Sequence, residues 1–218
     1  MCAIIGSRDY DTLIKLVELN SYRGSHSHSI SLYNIINGEM LLCKRDFGMP
    51  DLSTFKIPYN YYAIVHIQAP TTEAKNIDSI HPATAGNIKN FIPDHALWHN
   101  GIIKESVVKK FQSKYNTNWD TKQILLSIID QWGTFEALDE MDGSFSCLYY
   151  NKKLGKLFIF RNEISPMFID DNLNISSTKF TGSTATASDL VLQLDFIENI
   201  IPVVGEFTTV ENPYYFGE

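Results

Sequence analysis

Residue 2 is a cysteine directly behind the first methionine. Removal of that methionine, normal when a small residue follows, would leave a thiol and a free α-amine on one residue. A thiol of pKa about 8.5 beside an α-amine of about 8 can pass its proton to that amine, so one residue supplies nucleophile and base. Beside Ala3-Ile4-Ile5, Cys2 also suits a small residue packed in a strand. Trp98-His99-Asn100-Gly101 offers a second element. Projecting from a turn, the Asn100 carboxamide and the Gly101 backbone N–H would aim two donors at a developing oxyanion. The same Asn-Gly pair also makes an ordinary turn. Asp120, just before an apolar helical repeat, is a carboxylate for a cationic group or a helix N-cap.

Other constellations carry less. Ser25-His26-Ser27-His28-Ser29 lacks the Gly-x-Ser-x-Gly elbow and reads as a solvated or substrate-proximal loop. His95 and His99 share a strand face, but no carboxylate or cysteine completes a metal set at a recognised spacing. With no phosphate-cradling or dinucleotide glycine motif, ATP and NAD are not expected, and no cofactor is. A net charge of -7 disfavours nucleic acid as a partner. No run approaches the roughly 20 apolar residues that span a bilayer, so no membrane association is expected. Three cysteines, at 2, 43 and 147, fit no disulfide framework and suit a reducing cytoplasm, with Cys43 and Cys147 read as core residues.

The elements that must position these groups follow from periodicity. Residues 2–6 predict a strand and Asp11–Asn20 a helix with Leu13, Leu16 and Val17 on one face. Residues 30–36 and 40–44 flank Asn37-Gly38 and predict a hairpin with a tight two-residue turn. Residues 61–67 and 94–99 predict strands, and 102–114 and 120–132 two amphipathic helices. Strands follow over 143–150, 156–161, 167–169 and 201–204, with a further helix over 188–194. Hairpins, then two helices, then hairpins predict an α+β fold of antiparallel sheets in a single domain over residues 1–218, with no internal repeat.

Taken in order, Met1-Cys2-Ala3-Ile4-Ile5-Gly6, Tyr22-Arg23-Gly24, His99-Asn100-Gly101-Ile102-Ile103, Trp119-Asp120-Thr121, Met141-Asp142-Gly143-Ser144-Phe145 and the 161–168 stretch resemble the glutaminase domain of class II glutamine amidotransferases. That family includes glucosamine-6-phosphate synthase and asparagine synthetase. The resemblance covers nearly the whole chain. It implies the N-terminal-nucleophile fold, a four-layer αββα sandwich of two mostly antiparallel sheets. It also implies roles: Cys2 attacks the side-chain amide of glutamine, Asn100 and Gly101 hold the oxyanion, Asp120 binds the α-amino group, and Arg23-Gly24 shape the loop around Cys2.

One position departs from the family. An arginine after the strand at 61–67 normally clamps the α-carboxylate of glutamine, and here His66-Ile67-Gln68-Ala69-Pro70-Thr71 places Gln68 there. Losing a charge-assisted pair costs about 1.5 to 3 kcal/mol of binding. Thr71 falls where the family also contacts substrate, and Lys75 is a candidate substitute cation. Three readings stay open: glutaminase with a relocated clamp, an amidase for another amide or a γ-glutamyl compound, or a degenerate binding or regulatory module. Little chain remains beyond the glutaminase-like portion, so ammonia release to a separate synthetase or acceptor-activating partner is expected, unless the chain acts alone.

Overall fold

In the computed structural model, which describes residues 2–69, 77–131 and 133–210, strand alternation sorts the side chains into three packed apolar layers. Strand β1 (Ala3–Ser7) shows the rule: Ala3 and Ile5 pack toward helix α1 (Tyr10–Asn20), whereas Ile4 faces the second sheet. Helix α1 lays Leu13, Leu16 and Val17 on the first sheet. It starts at Asp9, whose carboxylate accepts the Thr12 N–H at 2.8 Å, a cap worth about 1 kcal/mol.

The first sheet also takes β2 (Ser27–Asn34), β3 (Met40–Phe47), β4 (Tyr61–Gln68), β9 (Phe168–Ile169), β10 (Ile175–Ser176) and β11 (Thr184–Ala185), in the order β11-β9-β10-β1-β4-β2-β3. The second joins β5 (Ala83–Lys89), β6 (Ile92–Ile103), β7 (Gly143–Asn151), β8 (Lys156–Arg161), β12 (Leu190–Leu194) and β13 (Val203–Glu206), in the order β13-β12-β8-β7-β6-β5. The described strand pairs are antiparallel. Tyr62, Ile64, Trp98, Leu148, Tyr150 and Ile159 fill the space between the sheets. Helices α2 (Glu105–Tyr115) and α3 (Asp120–Asp130) cover the outer face of the second sheet through Phe111, Ile124, Leu125 and Ile128. The result is the expected α+β sandwich, helix on sheet on sheet on helices.

Several local expectations are corrected. The hairpin at Asn37-Gly38 forms, but its loop runs from Ile35 to Glu39 because the Asn34 side chain accepts the Ile36 and Asn37 N–H groups and starts the turn early. Residues 27–29 are buried strand, not solvated loop, because Ser27 and Ser29 pair with Gln68 and His66. The predicted helix at 188–194 is β12: Asp189 sits at φ 59, which no helix continues through, and Val191 to Leu194 pair with β8. Helix α2 starts later than the periodicity suggested, since β6 runs through Ile103. Cys43 lies exposed on edge strand β3, whereas Cys147 is in the core.

Candidate active site

The polar residues collect at one end of the inter-sheet layer. On the first sheet, Cys2 stands two positions before Ile4 and shares its inward face, while His66 and Gln68 continue the face of Ile64 along β4. Ile4 and His66 are register partners, which sets Cys2 beside Gln68 at the next inward position. The Cys2 carbonyl accepts the Arg23 Nε–H at 3.0 Å, tying Cys2 to the turn after α1. Gly24 follows because nothing larger fits: a Cβ there would lie 2.5 Å from the Ala69 nitrogen and 2.6 Å from the Gln68 carbonyl carbon.

On the second sheet, Asn100 continues the inward face of Trp98. The sequence suggested a strand end or turn; instead Asn100 and Gly101 lie inside β6, paired with Ser146 and Phe145 of β7. The Asn100 carbonyl accepts the Ser165 hydroxyl at 3.1 Å and the Ser146 hydroxyl at 3.5 Å. Its side-chain amide has no hydrogen bond among the described residues, although the residue is only 2% exposed. Gly101 has φ +153, and a Cβ there would collide with the Ser144 carbonyl. His66 bridges the sheets, its Nε2 lying 3.2 Å from the His99 carbonyl oxygen.

Asp120 opens α3 but does not cap it. The N-cap position is Trp119, without a side-chain cap, and the Asp120 carboxylate instead accepts the Thr121 N–H at 2.7 Å and the Ile103 N–H at 3.3 Å. His99 Nδ1 lies 3.9 Å from the same carboxylate and 3.1 Å from the Thr121 hydroxyl. That hydroxyl meets His81 Nε2 at 3.0 Å, and His81 Nδ1 meets Gln68 Oε1 at 3.1 Å. A continuous polar chain therefore joins Asp120 and His99 to Gln68.

Burial governs the electrostatics here. It pushes the Cys2 thiol above its ordinary value, against the Ala69 N–H that stabilises the thiolate, while the Asp120 charge pushes upward and Arg23 downward. Burial holds His66 down to about 3, and drives His81 well below its usual value with further contributions from the facing His66 and His99. His66 and His81 stack at 4.1 Å, two neutral rings in contact.

Cys2, Arg23, Gly24, Gln68, Asn100, Gly101 and Asp120 are thus brought to one end of the sandwich, in a closed polar layer: Cys2 is 6% and Gln68 3% exposed. Thr71 and Lys75 lie outside the described residues. Two open cavities, of about 570 and 720 Å³, lie elsewhere, one beside β12 and β13 and one between α1 and the 170–181 segment. Among the described residues no cluster of metal-ligating side chains forms, and no helix is long and apolar enough to cross a membrane.

No protein-family model and no curated protein matches the chain. Solved structures do. Glutamine phosphoribosylpyrophosphate amidotransferase from B. subtilis, in complex with ADP and GMP, superposes with a TM-score of 0.65 at 15% identity, covering 94% of this chain and 49% of that one. The chain has the N-terminal-nucleophile fold of a class II glutamine amidotransferase. A structure described as the allosteric regulatory enzyme of purine biosynthesis agrees, with a TM-score of 0.59 at 15% identity over 88% of this chain and 47% of that one. The chain spans about half the length of the amidotransferases it matches.

Sequence reasoning missed His66, His81 and Thr121, which surround Gln68 and Asp120, and Ser165, which holds Asn100. Ser165 is positioned by buried Asn162, whose side chain also ties the start of β7 through Phe145 N and Gly143 O. His81 had no periodic or motif signal in the sequence. Ser165 and Asn162 sit inside the 161–168 stretch already singled out.

Proposed function

We propose that this chain is a cysteine-dependent amidohydrolase of the glutaminase type, working in a reducing cytoplasm. Once Met1 is removed, the α-amine of Cys2 takes the thiol proton as sulfur attacks the amide carbon, forming the C–S bond. The oxyanion is held by the Asn100 carboxamide and the Gly101 N–H. Collapse breaks the C–N bond, the ammonium proton of Cys2 leaves with ammonia, and water hydrolyses the thioester. Asp120 binds the substrate's α-amino group. What carries this reading is the Asn100 carboxamide: an amide without a partner among the described residues, on the inward face of the second sheet as Cys2 is on that of the first, is what an oxyanion donor requires. Burial keeps the thiol protonated until attack, which suits proton transfer to the adjacent amine within the step.

The ammonia would pass to a synthetase or other acceptor-activating partner. Gln68, where the family has arginine, favours a second reading in which the amide hydrolysed is not that of free glutamine. An intact-mass spectrum before and after an electrophilic glutamine analogue, with Cys2→Ala alongside, tests the first. Loss of Met1 and a single Cys2-dependent adduct are expected. A retained Met1 with no adduct would overturn the proposal and leave a non-catalytic binding module.

A further inference from the structure

Gln68 does not simply replace a charge with nothing. Its oxygen is engaged by His81 Nδ1 at 3.1 Å, and His81 Nε2 is engaged by the Thr121 hydroxyl at 3.0 Å. His81 is 4% and Thr121 1% exposed, so neither exchanges its partner for solvent. With its oxygen committed, the only free polar end of Gln68 is its NH₂ group, a neutral donor. The imidazoles around it are buried: His66 stacks on His81, and Trp119 meets His81 edge-on at 5.4 Å. Arg23 is engaged at the Cys2 carbonyl and the Tyr22 hydroxyl. Arg45, whose charge is felt at His81, donates to the Pro82 carbonyl. Of the two charges that the described residues set near Cys2, the Arg23 cation is held at the Cys2 carbonyl and the other, Asp120, is negative. A buried carboxylate next to a neutral amide costs more desolvation than a carbonyl that accepts the same hydrogen bond.

From this we propose that the site takes glutamine whose α-carboxyl is blocked as an amide, leaving a cationic α-amine for Asp120 and a neutral carbonyl for the Gln68 NH₂. His81 and Thr121 are the positioning residues that orient that NH₂. The inference rests on the glutaminase reading above and names its substrate class: a single glutamine α-amide, or a glutamine at the amino end of a peptide.

Calorimetry on the full-length Cys2→Ala chain, which cannot turn over, compares free glutamine, glutamine α-amide and glutaminylglycine. The α-amide should bind at least about tenfold more tightly than free glutamine, the size of one charge-assisted contact, and Gln68→Arg should reverse the order. Glutaminylglycine binding like the α-amide identifies peptide substrates, and binding only of the α-amide identifies the small molecule. Thr121→Val should lower α-amide affinity several-fold without changing that of glutamine, and Thr121→Ser should restore it, a pattern that loss of folding does not produce. Free glutamine binding as tightly as the α-amide overturns the inference and leaves the glutaminase reading with a cation from elsewhere, Lys75 among the candidates. Binding of none of the three also overturns it. Labelling of Cys2 by the electrophilic analogue then decides whether the glutaminase reading falls as well.

Discussion

Lowering the pH from 7.5 to 5.0 should destabilise this protein through its buried histidines. In the unfolded chain a histidine titrates near 6.5, whereas His66 is held down to about 3 by burial, so across this window the unfolded state takes up a proton that the folded state refuses. The sign follows: the contribution is fully present above 6.5 and is lost as pH falls. At about 1.4 kcal/mol per pH unit over 1.5 units, His66 alone accounts for about 2 kcal/mol. His81, buried and shifted the same way, adds a loss of the same sign. The His66 contribution alone is a sizeable share of the roughly 5–15 kcal/mol typical of a domain. The assay is urea unfolding at pH 7.5, 6.5, 5.5 and 5.0 for wild type and His66→Gln. Glutamine keeps an N–H donor within reach of the His99 carbonyl, so the variant should fold, begin less stable, and lose about 2 kcal/mol less than wild type over the window. The half-buried His95 shifts in the same direction in both proteins and cancels in the difference. Equal pH slopes for the two would refute the assignment of a neutral, buried His66.

Asn100→Ala should lower kcat by about a hundred- to a thousandfold, the cost of removing one oxyanion donor, measured as ammonia release. The accompanying stability change should be small, because the side-chain amide has no described partner to lose. Gly101→Ala should be worse for folding than for chemistry: a methyl group would meet the Ser144 backbone in a positive-φ conformation, and a loss of about 2 kcal/mol or more should appear in thermal denaturation.

The outline of the sandwich was legible because its strands and helices carry their own periodicity. Leu13, Leu16 and Val17 mark α1, and the run of β-forming residues over 61–67 marks β4. What stayed hidden depended on pairing across the fold. Residues 190–194 are apolar enough for helix or strand, and only β8 and β13 on either side decide for strand. Asn100-Gly101 reads as a turn locally, and only pairing with β7 keeps it extended. In the site, Cys2, Asn100 and Asp120 stood out by type and motif. His81, in a segment with no clear period, finds Gln68 and Thr121 through tertiary packing alone.

At the end of the sandwich opposite Cys2, the turns of the two sheets touch. The Tyr33 hydroxyl donates to the Gly155 carbonyl at 2.7 Å, the Tyr150 hydroxyl donates to the Gly38 carbonyl at 3.0 Å, and Phe196 packs against Tyr33 and Tyr62. Six steps of β2, from Tyr33 to Ser27 and roughly 20 Å of strand, separate this aromatic rivet from the serine and histidine at the other end. Tenure of the fold and authorship of the chemistry are therefore vested in different stretches of the same strands. A lineage can redraft residue 68 while the rivet holds both sheets in place. The architecture then outlives the sequence, and the chemistry of such a protein is read at the other end of its strands.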